Sequence, residues 1–434
     1  MPATLLSPES PARQRSQDLL EQFPELAEIP GMPQARIVAE YVLGRRSGEL
    51  DVSGRATDGS FVATEVVAEL PHEILIVDDA QGLQSRLLSE IAPVRTYNDR
   101  IDETRTVAEA ADRTSPIDDL RVFAAEEPRS GSGEPLASAA NGHEVWAIVN
   151  APKATQALAE TVAAVQAHVS TVIVIGRSDS MSRAVNKELA RGFARVDVSP
   201  GVGKHRMIIG SRALSSPSLP SFPKHGIIDH PATGPLQVRA HGSCFSGIKS
   251  DEGSAALLEA LAAESQIAET RTVDTRTAEV TAGSPRSVLD LGCGNGWLLS
   301  AAMQVTSAAT GAGVDVSKAA VASARETAEA NGLEIETVLA DATDAQALAG
   351  PGSGLSSDGY DLILLNPPFH QGTAIETDTA AGLMRTVATL LAPGGQVLTV
   401  FNSHLRYRDA LERHIGPSEQ VARTSKFTVV RSRR

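Results

Sequence analysis

The stretch SVLDLGCGNG, residues 287–296, is a short apolar run of strand character that ends in glycines at 292, 294 and 296. Glycine lets a backbone turn tightly and lets a ligand come close to it. From this point to the C-terminus, apolar runs rich in β-branched residues alternate with helix-patterned segments. Strands are expected at 287–291, 312–316, 335–340, 361–366, 396–402 and 426–431, and helices at 297–307, 318–330, 378–392 and 406–415. Such alternation implies an α/β fold, a mostly parallel sheet with helices on both faces. NGL (331–333) and PGG (393–395) read as helix stops. The last two strands lie close enough in sequence to form an antiparallel edge.

In sheets of this kind ligands bind beyond the carboxyl ends of the strands, at the topological switch point. Polar residues stand at those ends. The glycine spacing is G-x-G-x-G, neither the dinucleotide G-x-G-x-x-G nor a P-loop, and the missing Gly-Lys-Ser/Thr argues against a triphosphate. Asp315 ends the second strand, where a carboxylate can accept hydrogen bonds from ribose hydroxyls. Ser317 can cap the following helix and leave Asp315 free. Asp341 ends the third strand and can accept from an adenine amino group.

The fourth strand runs into DLILLNPPFHQG (361–372). Prolines 367 and 368 carry no N–H and stiffen the chain. The Asn366 side-chain carbonyl and the Pro367 main-chain carbonyl can then act as two fixed acceptors, which suits an exocyclic NH2 with two donors. Phe369 offers a flat face for a base taken out of its stack. A nucleobase amine is a poor nucleophile because its lone pair is delocalised into the ring. Hydrogen bonds to both its protons localise that pair, and the rest of the catalysis is positioning against an electrophile. Neither a cysteine nucleophile nor a metal is required. Cys293 and Trp297 read as packing residues, and the ten histidines show no metal-ligand spacing.

The first half repeats the second in weaker form, as an internal duplication would. ILIVDDAQG (74–82) matches the glycine strand with one glycine left, and Asp78 stands where Asp290 does. HEVWAIVNAPK (143–153) places Asn150 where Asn366 is and Lys153 where Phe369 is. ALSSPSLPSFPKHG (213–226) reads as a linker. The expected layout is a degenerate copy over 1–212, a linker over 213–226 and a complete copy over 227–434.

A chain of 434 residues suits two domains. With 42% hydrophobic and 21% charged residues it has the composition of a soluble globular protein. Two cysteines and no apolar leader or membrane span point to the cytoplasm. The net charge of -14 argues weakly against a nucleic-acid partner, but Phe401–Arg434 and Met181–Arg212 each carry a local excess of five positive charges.

These motifs resemble the class I S-adenosylmethionine-dependent methyltransferases. Within them the chain resembles the bacterial rRNA guanine-N2 methyltransferases with two tandem methyltransferase-like domains. The matching stretches are VLDLGCGNG, DVSKAAVASARETAEANGL, NPPFHQG, NSHLRYRDALERHIG with SKFTVVR, and CFSGIKSDEGSAALLEAL upstream. The last lacks the leucine usual before its Asp, here Asp251. The resemblance implies two Rossmann-like domains with seven-stranded sheets, the first serving RNA binding or scaffolding. It implies S-adenosyl-L-methionine as cofactor, held by Asp290, Gly292, Gly294, Gly296, Asp315, Asp341 and Asn366. It makes Asn366, Pro367 and Phe369 catalytic, and sets Pro368, Phe369 and His370 against the substrate. The partner implied is 23S or 16S rRNA, free or within a ribosomal subunit, met by a monomer. The His-Gln extension after the Asn-Pro-Pro-Phe motif points toward the 23S type. Arg431, Arg433 and Arg434 could grip phosphates or form a frayed tail. The same amine chemistry would serve adenine N6 or a protein glutamine amide, and loss of cofactor binding would mean a non-catalytic RNA-binding assembly factor.

Overall fold

The computed structural model describes residues 4–57, 71–111, 113–121, 144–274, 284–367, 374–405 and 407–434. The chain forms two compact units, Met1–Ser221 and Phe222–Arg434.

In the first unit the strands are β1 (Glu73–Val77), β2 (Val94–Tyr97), β3 (Thr114–Pro116), β4 (Val145–Asn150), β5 (Thr171–Arg177), β6 (Phe193–Val198) and β7 (His205–Ala213). The second opens with a hairpin, β8 (Lys224–His230) and β9 (Gly234–Ala240). It continues with β10 (Ser287–Leu291), β11 (Thr310–Asp315), β12 (Ile335–Leu339), β13 (Tyr360–Leu365), β14 (Leu391–Asn402), β15 (Ser418–Arg423) and β16 (Phe427–Arg433). The seven-stranded sheets have the same order, β3-β2-β1-β4-β5-β7-β6 and β12-β11-β10-β13-β14-β16-β15. In each, only the strand inserted next to the edge, β7 or β16, runs antiparallel to its neighbours. The duplication is therefore one of topology as well as of motif order.

The central strands of the second unit form because their residues are mostly apolar and both faces are covered. Val288, Leu362, Leu364, Leu398 and Val400 pack into one core with Leu257, Trp297 and Leu299. Leu289, Leu291, Ile363, Leu365 and Val397 project the other way, into a second core with Leu383, Val387 and Leu390. The period of two thus sends alternate residues to helices Glu252–Asp274 and Trp297–Thr306 on one face and Ala374–Leu390 on the other. Among the described residues, no helix is long and apolar enough to cross a membrane.

Several expectations change. The hairpin β8–β9, edge strand β15 and helix Glu252–Asp274 were not apparent from apolar runs, because their polar positions interrupt the pattern. Lys224 to Gly226 belong to β8, so the stretch between strands at the unit boundary is 214–223 rather than 213–226. Pro393-Gly394-Gly395 does not follow the helix as a separate stop. It forms a bulge inside β14, where the register jumps from Tyr360↔Leu391 to Leu362↔Gln396. The register also corrects the pairing of the two halves. Asp290 lies opposite Leu364 and Ile76 opposite Ile148, two residues before Asn366 and Asn150 respectively. Ile76 is the counterpart of Asp290, and Asp78 takes the place of Gly292.

Gly296 and Gly82 close the equivalent turns. A Cβ at Gly296 would stand 2.5 Å from the Ala324 Cα, and one at Gly82 would stand 2.8 Å from the Ala110 Cβ. Both glycines have left-handed φ, +73° and +67°. At Gly294, φ is +51° and a Cβ would meet nothing within 4 Å. Gly296→Ala should destabilise the second unit by about 2–4 kcal/mol in denaturant titration, against about 1–2 kcal/mol for Gly294→Ala, because only the first adds a clash to the backbone cost.

Candidate active site

The chain leaves β10 to build β11 and β12 on one side of it, then crosses back to lay β13 on the other. The carboxyl ends of β10 and β13 therefore flank the switch point. Residues Gly292 to Gly296 follow β10, Asp315 ends β11, Asp341 follows β12 and Asn366 follows β13. The topology brings these positions to one end of one sheet.

The glycine turn offers room more than donors. The Gly292 and Cys293 N–H groups both bond the Val314 carbonyl, at 2.8 and 3.0 Å, and the Gly296 N–H bonds the Cys293 carbonyl at 2.9 Å. The Gly294 N–H donates to Asp315 Oδ2 at 3.0 Å. Gly292 and Gly294 nevertheless face open space on the side a Cβ would take, whereas Gly296 is packed against helix Lys318–Ala330. Gly296 thus has a packing reason to be glycine, whatever its backbone contacts.

The acids differ in what they already hold. Asp290 is 2% exposed, and none of the described residues hydrogen-bonds its carboxyl group. Burial, with the nearby Asp315 charge, pushes its pKa well above the ordinary carboxylate range. Asp315 is not left free: Oδ2 takes the Gly294 N–H and Oδ1 takes the Ser317 N–H at 3.0 Å. Ser317 does cap its helix, accepting from Ala320 N at 3.1 Å. Asp341 Oδ1 accepts from both the N–H and the hydroxyl of Thr343, at 2.8 and 2.7 Å. A buried carboxyl with no hydrogen-bond partner among the described residues, beside two glycines with open faces, suits the cationic methionine end of S-adenosylmethionine. Asp315 and Asp341, at the ends of the next two strands, add carboxylate acceptors of the kind ribose and adenine donors need, so the residues present fit the group.

Asn366 is oriented by residues that sequence reading did not single out for the purpose. Its Nδ2 donates to Asp251 Oδ2 at 2.8 Å and to Ser254 Oγ at 3.0 Å. Asp251 also caps helix Glu252–Asp274 by accepting the Ser254 N–H at 3.0 Å. The legible signal was the Asp-x-x-Ser spacing ahead of an apolar helix, which reads as a cap and no more. None of the described residues donates to Asn366 Oδ1, and Pro367 beside it is buried. Pro368, Phe369 and His370 lie outside the described residues.

Asn295 joins this segment to the glycine turn. Its Nδ2 donates to the Gly247 and Lys249 carbonyls at 2.8 and 3.2 Å, while its Oδ1 accepts the Trp297 N–H at 3.1 Å. Cys293 and Trp297 are buried, as packing residues are, and burial raises the Cys293 thiol pKa, which disfavours the thiolate. Arg431 is neither frayed nor free for phosphate: within β16 it pairs with Glu264 and Glu419. Arg434 donates to the Leu391 carbonyl at 2.7 Å.

Residues 235–431 match the family model described as methyltransferase small domain. A T. thermophilus 16S rRNA N2 G1207 methyltransferase, solved with AdoMet and guanosine, superposes with a TM-score of 0.64 at 20% identity, over 85% of this chain and 89% of that one, and so shares the fold. Residues 235–431, most of the second unit, thus match a methyltransferase family, and the chain shares the Rossmann-like fold of class I methyltransferases. Among named relatives, the ribosomal RNA large subunit methyltransferase G of Pseudomonas fluorescens is 27% identical over 83% of this chain and 87% of its own length. The ribosomal RNA small subunit methyltransferase C of Pseudomonas paraeruginosa is 36% identical over 47% of this chain and 52% of its own length, about half of each.

The buried acid generates a prediction with a fixed sign. A carboxyl group whose folded pKa is raised stabilises the fold only while protonated: its contribution is complete below the unfolded pKa, near 4, and is lost as pH rises through the raised value. Asp290→Asn should therefore melt higher than the cofactor-free parent at neutral pH, by about 2–4 °C for each kcal/mol relieved. The difference should close as pH falls toward about 4. The same variant should lose S-adenosylmethionine affinity, read by calorimetry. A melting difference independent of pH would contradict the assignment.

Proposed function

We propose that the chain transfers a methyl group from S-adenosylmethionine to the exocyclic N2 amine of a guanine in ribosomal RNA. The observation that carries this reading is the Asn366 amide, turned so that its NH2 is spent on Asp251 and Ser254 while its oxygen remains an acceptor at the end of β13. An acceptor there, with the Pro367 carbonyl next in sequence, suits an amine that must give up two hydrogen bonds. The names of the relatives support rRNA as the substrate class, and the guanosine bound in the structural neighbour supports guanine.

S-adenosylmethionine, when bound, supplies an electrophilic methyl group on a sulfonium. The chain has to hold a weakly nucleophilic amine in line with it and draw electron density from the N–H bonds toward the nitrogen. We assign Asn366 and Pro367 to the amine, Asp290, Gly292 and Gly294 to the methionine end, and Asp315 and Asp341 to the nucleoside end. For Phe369, with Pro368 and His370, we keep the assignment to the target base on sequence grounds. Since two protons must be accepted at once, losing one fixed acceptor should cost rate far more than cofactor affinity. We place the activity in the cytoplasm and in a monomer. The first is supported by two free cysteines, both buried.

The test is incubation with isotopically labelled S-adenosylmethionine and unmodified 16S or 23S rRNA, each naked and within its assembled subunit, followed by nucleoside analysis. Labelled N2-methylguanosine in one of the four is expected. Asn366→Ala should lower its rate by about 10²–10³-fold with cofactor binding largely kept. Label in N6-methyladenosine, or in protein alone, would refute the guanine assignment.

A further inference from the structure

We infer that Asp251 and Ser254 are positioning residues that set the hydrogen-bonding polarity of Asn366, with Gly253 leaving the space they need. The inference rests on the proposed role of Asn366 toward a target amine.

A primary amide has two faces, an acceptor oxygen and a donor NH2, interchanged by half a turn about one side-chain torsion. Only the oxygen can serve an amine. Donor meeting donor at the target would repel it, so the enzyme needs one rotamer and not its twin. Asp251 decides between them, because an ionised carboxylate can only accept. At 2.8 Å from it, the Asn366 atom must be nitrogen. Ser254 Oγ, at 3.0 Å, takes the second proton of the same NH2. Both amide protons are thereby spent, and the group has no donor left for the target. Gly253 lies between the two holders. A Cβ there would come within 3.0 Å of Asp251 Oδ2 and 3.1 Å of Asn366 Oδ1, so any side chain would press on the amide it adjoins.

The first unit shows the same position without this device. Asn150 also stands two residues beyond the register point shared by β1 and β4. Its Nδ2 donates to the Val77 carbonyl at 3.2 Å, and its Oδ1 accepts from Gln84 Nε2 at 2.6 Å. Each end of this amide thus has a partner within the unit, and its oxygen already accepts a hydrogen bond. The asparagine at the end of the fourth strand does not by itself make a target site. Its partners decide what it offers.

Ser254 separates this role from folding. Asp251 caps the helix through the Ser254 N–H, which Ser254→Ala retains, so that variant removes one amide partner and leaves the cap. The first readout needs no substrate. The chain has eight asparagines, so selective 15N-asparagine labelling gives a small set of side-chain NH2 signals, and Asn366→Ala identifies the one in question. In the parent, both of its protons should be shifted and slow to exchange. In Ser254→Ala one of them should lose that protection, and Ser254→Thr should regain it.

The second readout is kinetic. Ser254→Ala should lower kcat about tenfold, the scale of one hydrogen bond, with melting temperature and cofactor Kd unchanged. Ser254→Thr should recover most of that loss. An Asn366 signal that does not respond to Ser254→Ala would overturn the inference, as would unchanged kcat or a loss that tracks melting temperature. If the parent forms no N2-methylguanosine in any rRNA, the functional reading fails separately, and the amide signal still decides whether Ser254 holds Asn366.

Discussion

The parallel pairing of β10 with β13 is the constraint on which the rest of the site depends. Their register, Leu291 opposite Leu365, fixes how far each strand runs before its loop begins. The glycine turn and Asn366 start from adjacent points because of it. The register is strongly specified, since a slip of one residue would turn alternate leucines from one core to the other on a strand buried on both faces. Precision at the site is thus inherited from apolar packing several residues away.

Both units obey that constraint, but the loops beyond their strands differ. Both have the same strand order, and in both an asparagine stands at or just after the end of the fourth strand. In the first unit Ile76 replaces the buried acid and Asp78 the open glycine. Asp78 adopts a left-handed φ of 57°, and its Oδ1 accepts the Asp99 N–H at 3.0 Å. The turn is closed by its own side chains, so the fold is kept while the groups that would receive a ligand are turned inward or removed. A scaffold and its chemistry can separate in this way because core residues lie within the strands and site residues just beyond them.

Asp290 illustrates the cost of keeping the chemistry. A buried carboxyl group without a hydrogen-bond partner opposes folding once ionised, and Asp315 nearby adds to the penalty. A cation at that place reverses the balance, because the same burial that penalises the lone charge strengthens its attraction to an opposite one. On the assignment proposed for Asp290, instability of the empty site and affinity for the cofactor would have one origin. Asn366 obeys a similar logic in uncharged form: an amide committed on one face is poised on the other.

Much of this was legible in the sequence. The apolar runs of the central strands, the alternating helices, the glycine turn and the polar residues at strand ends each have a local cause, and local causes can be read along a chain. So could the duplication, although counting residues paired Asp78 with Asp290, and only the hydrogen-bonded register showed Ile76 to be its counterpart. The sequence could not show that Asp315 is already engaged, that Gly296 packs against a helix, or that Arg431 is paired. Least of all could it show Asp251 and Ser254 holding an amide more than a hundred residues away. Backbone preference and hydrophobic periodicity are properties of neighbours in sequence, so the sequence by itself determined most of the elements and where chemistry could stand. The direction of a hydrogen bond depends on which atoms meet across the fold, and that only the tertiary structure decided.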